Sequence, residues 1–181
     1  IMKLSGYFKE NGCTVRLIED YSELFTERTL INSSKMPDGS GYDFSNAMEY
    51  DAIYISKVFD FTKINAELLT LPNVYIGGTG FFFDHAPKLP DCIEHHMPDY
   101  HIYDLYIEHD NTHKNKEVYF KDYLNYSIGF ATRGCFRQCA FCVNHNVKRV
   151  NFHSHISEWY DPSRKAIYLW DDNIFGYAHW R

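Results

Sequence analysis

No stretch of this chain approaches the ~18–20 consecutive apolar residues that a bilayer-spanning helix needs, and its start lacks the basic-then-apolar pattern of a secretory leader. Positive charge is in the minority: 18 Lys and Arg face 24 Asp and Glu, for a net charge of −6. Nucleic-acid binding depends on clustered Lys and Arg that neutralise phosphates, so the balance argues against it as the chain's main business. The basic stretch "VKRV" at 147–150 reads as a solvated loop. There is no internal repeat. The nicotinamide fingerprint G-x-G-x-x-G is also missing, because "GGTG" at 77–80 is followed by Phe83 where the third glycine belongs. These absences lead to the expectation of a cytoplasmic protein with no membrane partner and no strong nucleic-acid signal.

Cysteine is scarce as well. Five is an odd number, which argues against a disulfide framework, and a tight cluster in a reducing compartment points instead to a metal or redox centre. Cys13 and Cys92 stand alone and read as small buried hydrophobes. The other three crowd into "RGCFRQCAFCVNH" at 133–145.

The 181 residues are 45% hydrophobic and 18% aromatic, enough to bury a real core. "IMKLSGYFKENG" has helical spacing and stops at Gly12. "CTVRLIE" at 13–19 alternates like a strand, "NSSKMPDGSGYDF" at 32–44 is turn-rich, and "YDAIYISKVF" at 50–59 resembles a parallel strand covered on both faces. "TKINAELLTLP" at 62–72 predicts a short helix and "NVYIGGTGF" at 73–81 a strand ending in a glycine turn. A proline-punctuated segment follows, predicted as a short helix, a turn and a linker. "YSIGFATRGC" at 126–135 predicts a strand running into the cysteines, "HSHISEWY" at 153–160 a helical stretch, and "RKAIYLWDDNIFG" at 164–176 a second strand with Asp171, Asp172 and Asn173 at its end. The order indicates an α/β fold whose first half resembles the later part of an open parallel sheet. A helix at the very start, with no strand before it, suggests a fragment.

The spacing Cys135-x3-Cys139-x2-Cys142 supplies three thiolates. A structural zinc site wants four ligands in a closed tetrahedron, and adding His145 would make a Cys3His zinc-binding interaction module without catalysis. An electron-transfer [4Fe–4S] cluster wants four thiolates. Three thiolates on a four-iron cube leave one iron open to a bidentate ligand, such as the amino and carboxylate groups of an amino acid.

C-x3-C-x2-C with an aromatic, Phe141, just before the last cysteine resembles the signature of the radical SAM superfamily. The resemblance implies an enzyme that uses a [4Fe–4S] cluster on Cys135, Cys139 and Cys142 to cleave S-adenosylmethionine reductively to a 5′-deoxyadenosyl radical. It implies an electron donor such as flavodoxin or ferredoxin, and an unknown substrate. It places the cysteines on the loop after the first strand of a partial (β/α)6 barrel, Phe141 near the adenine, and "YLWDDNIFG" at the end of the second strand. Asp171, Asp172 and Asn173 there stand where many members carry Gly-Gly-Glu and become candidate contacts to the SAM ammonium. Residues 1–118 are similar in layout to the Rossmann-like, B12-binding-like domain of one class of the superfamily, lacking its first strand, with 119–181 as the N-terminal part of the barrel. Cobalamin stays open as a cofactor, although the D-x-H-x-x-G motif is not met: Asp99-Tyr100-His101 has Asp104 in the glycine position. The paired His95-His96, His153 and His155 read as surface or crossover residues. Arg133, Arg137 and Lys148 are near enough in sequence to temper the charge of the thiolates.

Overall fold

The computed structural model describes residues 1–27, 41–83, 85–142 and 147–179. In chain order the elements are α1 (Met2–Glu10), β1 (Thr26–Glu27), β2 (Tyr42–Asp43), α2 (Ser45–Met48), β3 (Ile53–Ser56), β4 (Val74–Gly77), α3 (Thr79–Phe82), α4 (Asp91–Glu94), α5 (Asp104–His109), α6 (Lys116–Tyr119), α7 (Lys121–Asn125), β5 (Tyr126–Gly129), β6 (Thr132–Arg133), β7 (Asn151–Phe152) and β8 (Ala166–Leu169). Among the described residues the strands form only two-stranded sheets: β3–β4 and β5–β8 are parallel, β1–β2 and β6–β7 antiparallel. The fold is mixed α/β as expected, and no closed barrel is present among these residues. The chain packs as two compact units, Ile18–Pro87 and Ile1–Leu17 with Lys88–Arg181.

In the unit Ile18–Pro87, Leu24, Ala47, Ile53 and Leu68 are buried together, with Phe25, Phe44, Ile55 and Val74 packed around them. β3 and β4 pair in parallel with Ile53 opposite Val74. One face of β3 is buried; the other is not, for Tyr54 stacks on Tyr75 at 5.1 Å and both remain exposed. The expectation of a strand covered on both faces is corrected accordingly. The helix expected over 62–72 is a single 3₁₀ turn at Leu68–Thr70. Asn65 Oδ1 accepts from the Glu67 and Leu68 amides and starts the turn, while Leu71, preceding Pro72, is extended at ψ 143°, so too few residues lie between start and stop. The glycine turn after β4 serves this unit's own packing. Gly78 takes φ +94°, and a Cβ there would lie 2.4 Å from the Lys57 carbonyl oxygen, so the glycine lets two backbones meet.

In the unit Ile1–Leu17 with Lys88–Arg181, α1 ends where expected, with Gly12 at φ +81° and the Cys13 amide donating to the Phe8 carbonyl at 2.9 Å. Buried Ser5 donates to Asp99 Oδ2 at 2.6 Å and Lys9 pairs with the same oxygen at 2.7 Å, tying the helix to the segment after α4. Residues 13–17 form no strand, because no other strand pairs with them among the described residues. Cys13 and Cys92 are exposed, contrary to the buried role expected of them.

The core beneath β5 is built on Trp159, which is 0% exposed. Its indole Nε1 donates to Ser154 Oγ at 3.1 Å, Ser154 Oγ donates to the Phe130 carbonyl at 2.7 Å, and Tyr100 Oη donates to the Trp159 carbonyl at 2.6 Å. Tyr100 Oη also accepts from the Ile128 amide at 2.9 Å, so one buried tyrosine joins β5 to the 3₁₀ turn Ile156–Glu158 that precedes Trp159. All these buried polar groups are therefore satisfied. β8 completes the pair with Tyr126 opposite Ala166, and the Trp170 amide extends the ladder to the Gly129 carbonyl at 3.0 Å.

His153 lies at the edge of this core, its Nε2 3.1 Å from Glu94 Oε1. Burial first, then the positive charge of Arg133, holds its pKa below the ordinary imidazole value, with Glu94 pulling partly the other way. A depressed pKa means the folded chain binds the proton less well than the unfolded one. The contribution to stability is thus fully present above the unfolded value of about 6.5 and is lost as pH falls through the folded value. Denaturant midpoints measured from pH 7.5 to 5 should therefore fall on acidification, and His153→Gln should flatten that decline.

Candidate metal centre

β5 delivers the chain to its C-terminal end at Gly129, and three residues later β6 pairs antiparallel with β7, Thr132 opposite Phe152 and Arg133 opposite Asn151. The intervening residues 134–150 therefore leave and return through a paired neck, and the three cysteines lie on this excursion. The His153 amide donates to the Ala131 carbonyl at 2.9 Å and draws the returning strand closer.

Gly134 makes the neck geometrically feasible. Its φ is +97°, and a Cβ would stand 2.3 Å from the Arg149 carbonyl oxygen and 2.4 Å from Val147 Cγ1. Only glycine combines that backbone conformation with so close a passage, and it sits immediately before Cys135. Further on, Gln138 turns the loop with a positive φ of 47°, uncommon for a residue with a side chain. The Cys142 amide then donates to the Cys139 carbonyl at 2.9 Å, closing a turn between the second and third cysteines.

None of the three cysteines is joined in a disulfide, and all are of intermediate burial. Cys135 Sγ accepts from the Arg137 amide at 3.5 Å and from Asn173 Nδ2 at 3.5 Å. Cysteine sulfurs are soft donors, the kind that iron–sulfur clusters and zinc take. Among the described residues no group of three His, Cys, Asp or Glu side chains is arranged to hold a single metal ion. His145, the fourth ligand of the zinc alternative, lies outside the described residues.

The segment after β8 meets the loop's stem. Asp171 Oδ2 accepts from the Ala131 amide at 3.1 Å, and Asp171 Oδ1 accepts from both the amide and the hydroxyl of Thr132. Asp172 Oδ2 accepts from the Gly134 amide at 3.0 Å. A Cβ on Gly176 would lie 2.9 Å from the Phe136 ring, so the turn Ile174–Gly176 also rests against the cysteine loop. The residues expected to share a site, Cys135 with Asp171, Asp172 and Asn173, are thus brought together across about 40 residues of sequence. Phe141 is 91% exposed, with its ring presented to solvent.

Arg133 lies over the Phe130 ring with its guanidinium carbon 3.2 Å from the ring centroid. Burial lowers its pKa, opposed by the carboxylates of Glu94, Asp172 and Asp171. Arg137 and Lys148 are exposed to water. His95 and His96 pair with Glu158 and Glu10 respectively, in keeping with the surface role expected of them.

Sequence reasoning did not single out Gly134, Thr132 or Gly176. A glycine directly before the first cysteine was the available signal for Gly134. No spacing rule connects Thr132 with Asp171. Compared with known proteins, the chain matches no family model, no curated protein and no solved structure. Among the described residues no helix is long and apolar enough to cross a membrane.

Proposed function

We propose that this chain is part of a radical SAM enzyme in which Cys135, Cys139 and Cys142 hold a [4Fe–4S] cluster. The observation that carries the reading is one of placement. Three cysteines outside any disulfide follow the C-terminal end of a strand whose parallel neighbour ends in a polar segment packed on the cysteine loop. In the repeating strand–crossover–strand arrangement, loops at the C-terminal ends of adjacent strands share one mouth, and chemistry gathers there. When bound, the cluster and S-adenosylmethionine supply one-electron reductive cleavage of the C5′–S bond, yielding a 5′-deoxyadenosyl radical, with the electron coming from a donor such as flavodoxin or ferredoxin.

The chain's own residues serve that chemistry by holding and orienting. Cys135, Cys139 and Cys142 would hold the cluster, one iron each, leaving its fourth iron without a protein ligand. Phe141 offers an exposed flat face to the adenine. Asp172 and Asn173 stand beside the first cysteine, close to where an ammonium and its hydrogen bonds would be received. The same reading takes residues 1–118 as a Rossmann-like domain and 119–181 as the first part of a partial barrel. The parallel pairs β3–β4 and β5–β8 support two α/β parts, whereas the compact units divide the chain after Leu17 and Pro87.

Anaerobic reconstitution with iron and sulfide tests the proposal. The expected result is about four iron and four sulfide per chain, with broad visible absorbance that shifts when S-adenosylmethionine is added. One zinc per chain with no sulfide would instead identify the Cys3His module and overturn the proposal.

A further inference from the structure

We infer that Asp171 is a positioning residue, a carboxylate latch that sets the stem of the cysteine loop so that Cys135 is presented for metal binding. The inference goes beyond the candidate SAM contact first expected of this residue, and its metal-binding half rests on the cluster reading above.

Both oxygens of the Asp171 carboxylate are committed to the stem. Oδ2 takes the Ala131 amide at 3.1 Å, and Oδ1 takes the Thr132 amide and hydroxyl. Ala131 is 1% exposed and Thr132 is 0% exposed, so these donors have no water to fall back on. A buried amide that loses its acceptor carries the full cost of desolvation, and acceptance by a charged carboxylate is stronger than acceptance by a neutral group. The strand pairing of β6 with β7 covers only two residues a side, too short to hold the stem unaided. The latch therefore supplies what the ladder lacks. It continues along the stem through Asp172 on the Gly134 amide at 3.0 Å and Asn173 on Cys135 Sγ at 3.5 Å, so three consecutive side chains of one segment grip positions 131 to 135. A shift at Asp171 is transmitted to the first cysteine over four residues, one of which, Gly134, has no room to adjust.

The test uses hydrogen exchange on the metal-free chain and iron content on the reconstituted one, with Asp171→Ala and the isosteric Asp171→Asn. The amide of Asn carries one acceptor oxygen and one donor nitrogen. Whichever way it lies, one of the Ala131 and Thr132 amides faces a donor and loses its partner. Exchange at one of these amides should accelerate about tenfold or more in Asp171→Asn, and at both in Asp171→Ala, while Ile128 in β5 keeps its protection. Iron retained after desalting should fall below the unaltered chain's, more in Asp171→Ala than in Asp171→Asn. Unchanged exchange at Ala131 and Thr132 in both variants overturns the latch. So does accelerated exchange with iron content equal to that of the unaltered chain, because the stem would then not govern metal binding. If the unaltered chain takes up no iron, the cluster reading is lost, and accelerated exchange in Asp171→Asn still establishes the latch on the stem.

Discussion

Cys139→Ala should leave the reconstituted chain without its visible cluster absorbance and with little of its iron, while Cys13→Ala and Cys92→Ala leave both unchanged. Cys139 is the middle thiolate of the three. It follows the positive-φ turn at Gln138, and its carbonyl anchors the turn to Cys142, so the substitution removes a ligand without removing the turn's backbone bond. The side chain is of intermediate burial on a loop, where a truncation of this size perturbs folding by about 0.5 kcal/mol or less. Loss of iron in a chain whose unfolding midpoint is unmoved thus reports ligation rather than collapse. Two thiolates on a four-iron cube leave two irons without protein ligands, and such a cluster is readily lost to chelators in solution. Cys13 and Cys92 are exposed and lie outside the loop, which makes them controls for adventitious iron binding by thiols. Full iron content in Cys139→Ala would remove the basis of the proposed function, since the three-thiolate count is what distinguishes it from an ordinary four-cysteine cluster.

The parts of this molecule that were legible in the sequence are those decided locally. β5 and β8 lie within "YSIGFATRGC" and "RKAIYLWDDNIFG", as short apolar runs bounded by glycine and by acidic residues. α1 stops at Glu10, just before Gly12, because a left-handed residue is cheap only for glycine. Of the misreadings, one falls where a second part of the chain decides and one is local. "CTVRLIE" has strand-like alternation, yet alternation without a hydrogen-bonding neighbour does not make a strand among the described residues. "TKINAELLTLP" carries helix-forming side chains, but the cap at Asn65 and the proline at position 72 confine it to one turn. The cysteine triplet was visible from spacing alone. The stem that holds it was not, because the partnership of Asp171 with Thr132 spans 39 positions and leaves no periodic trace.

Gly129→Ala and Trp159→Ala should be the most destabilising substitutions in the unit that carries the cysteines, and for opposite reasons. Trp159 is wholly buried, so replacing it with Ala leaves a cavity and strands Ser154 Oγ without its indole donor; the expected loss is about 3–5 kcal/mol. Gly129 fails by overpacking. A Cβ there would stand 2.3 Å from Trp159 Cδ2 and 2.6 Å from its Cε2 and Cγ, and the indole cannot retreat, because its Nε1 donates to Ser154 Oγ and the Trp159 backbone carbonyl accepts from Tyr100 Oη. The strand must move instead, at a cost of about 1–3 kcal/mol or more. Against a whole-domain stability of about 5–15 kcal/mol, either loss is a large fraction, and urea midpoints should drop accordingly. The two variants also differ in what they do to the loop. Ser154 connects Trp159 to the Phe130 carbonyl, one residue before the stem that Asp171 grips, so Trp159→Ala should loosen Ala131 and Thr132 as well as the core. Trp159→Phe keeps most of the buried ring and loses the indole bond. It should fall between Trp159→Ala and the unaltered chain in urea midpoint, and nearer to Trp159→Ala in hydrogen exchange at Ala131. If Gly129→Ala unfolds at the same urea concentration as the unaltered chain, the indole does not lie against β5 as described, and the support of the cysteine loop has to come from elsewhere in the fold.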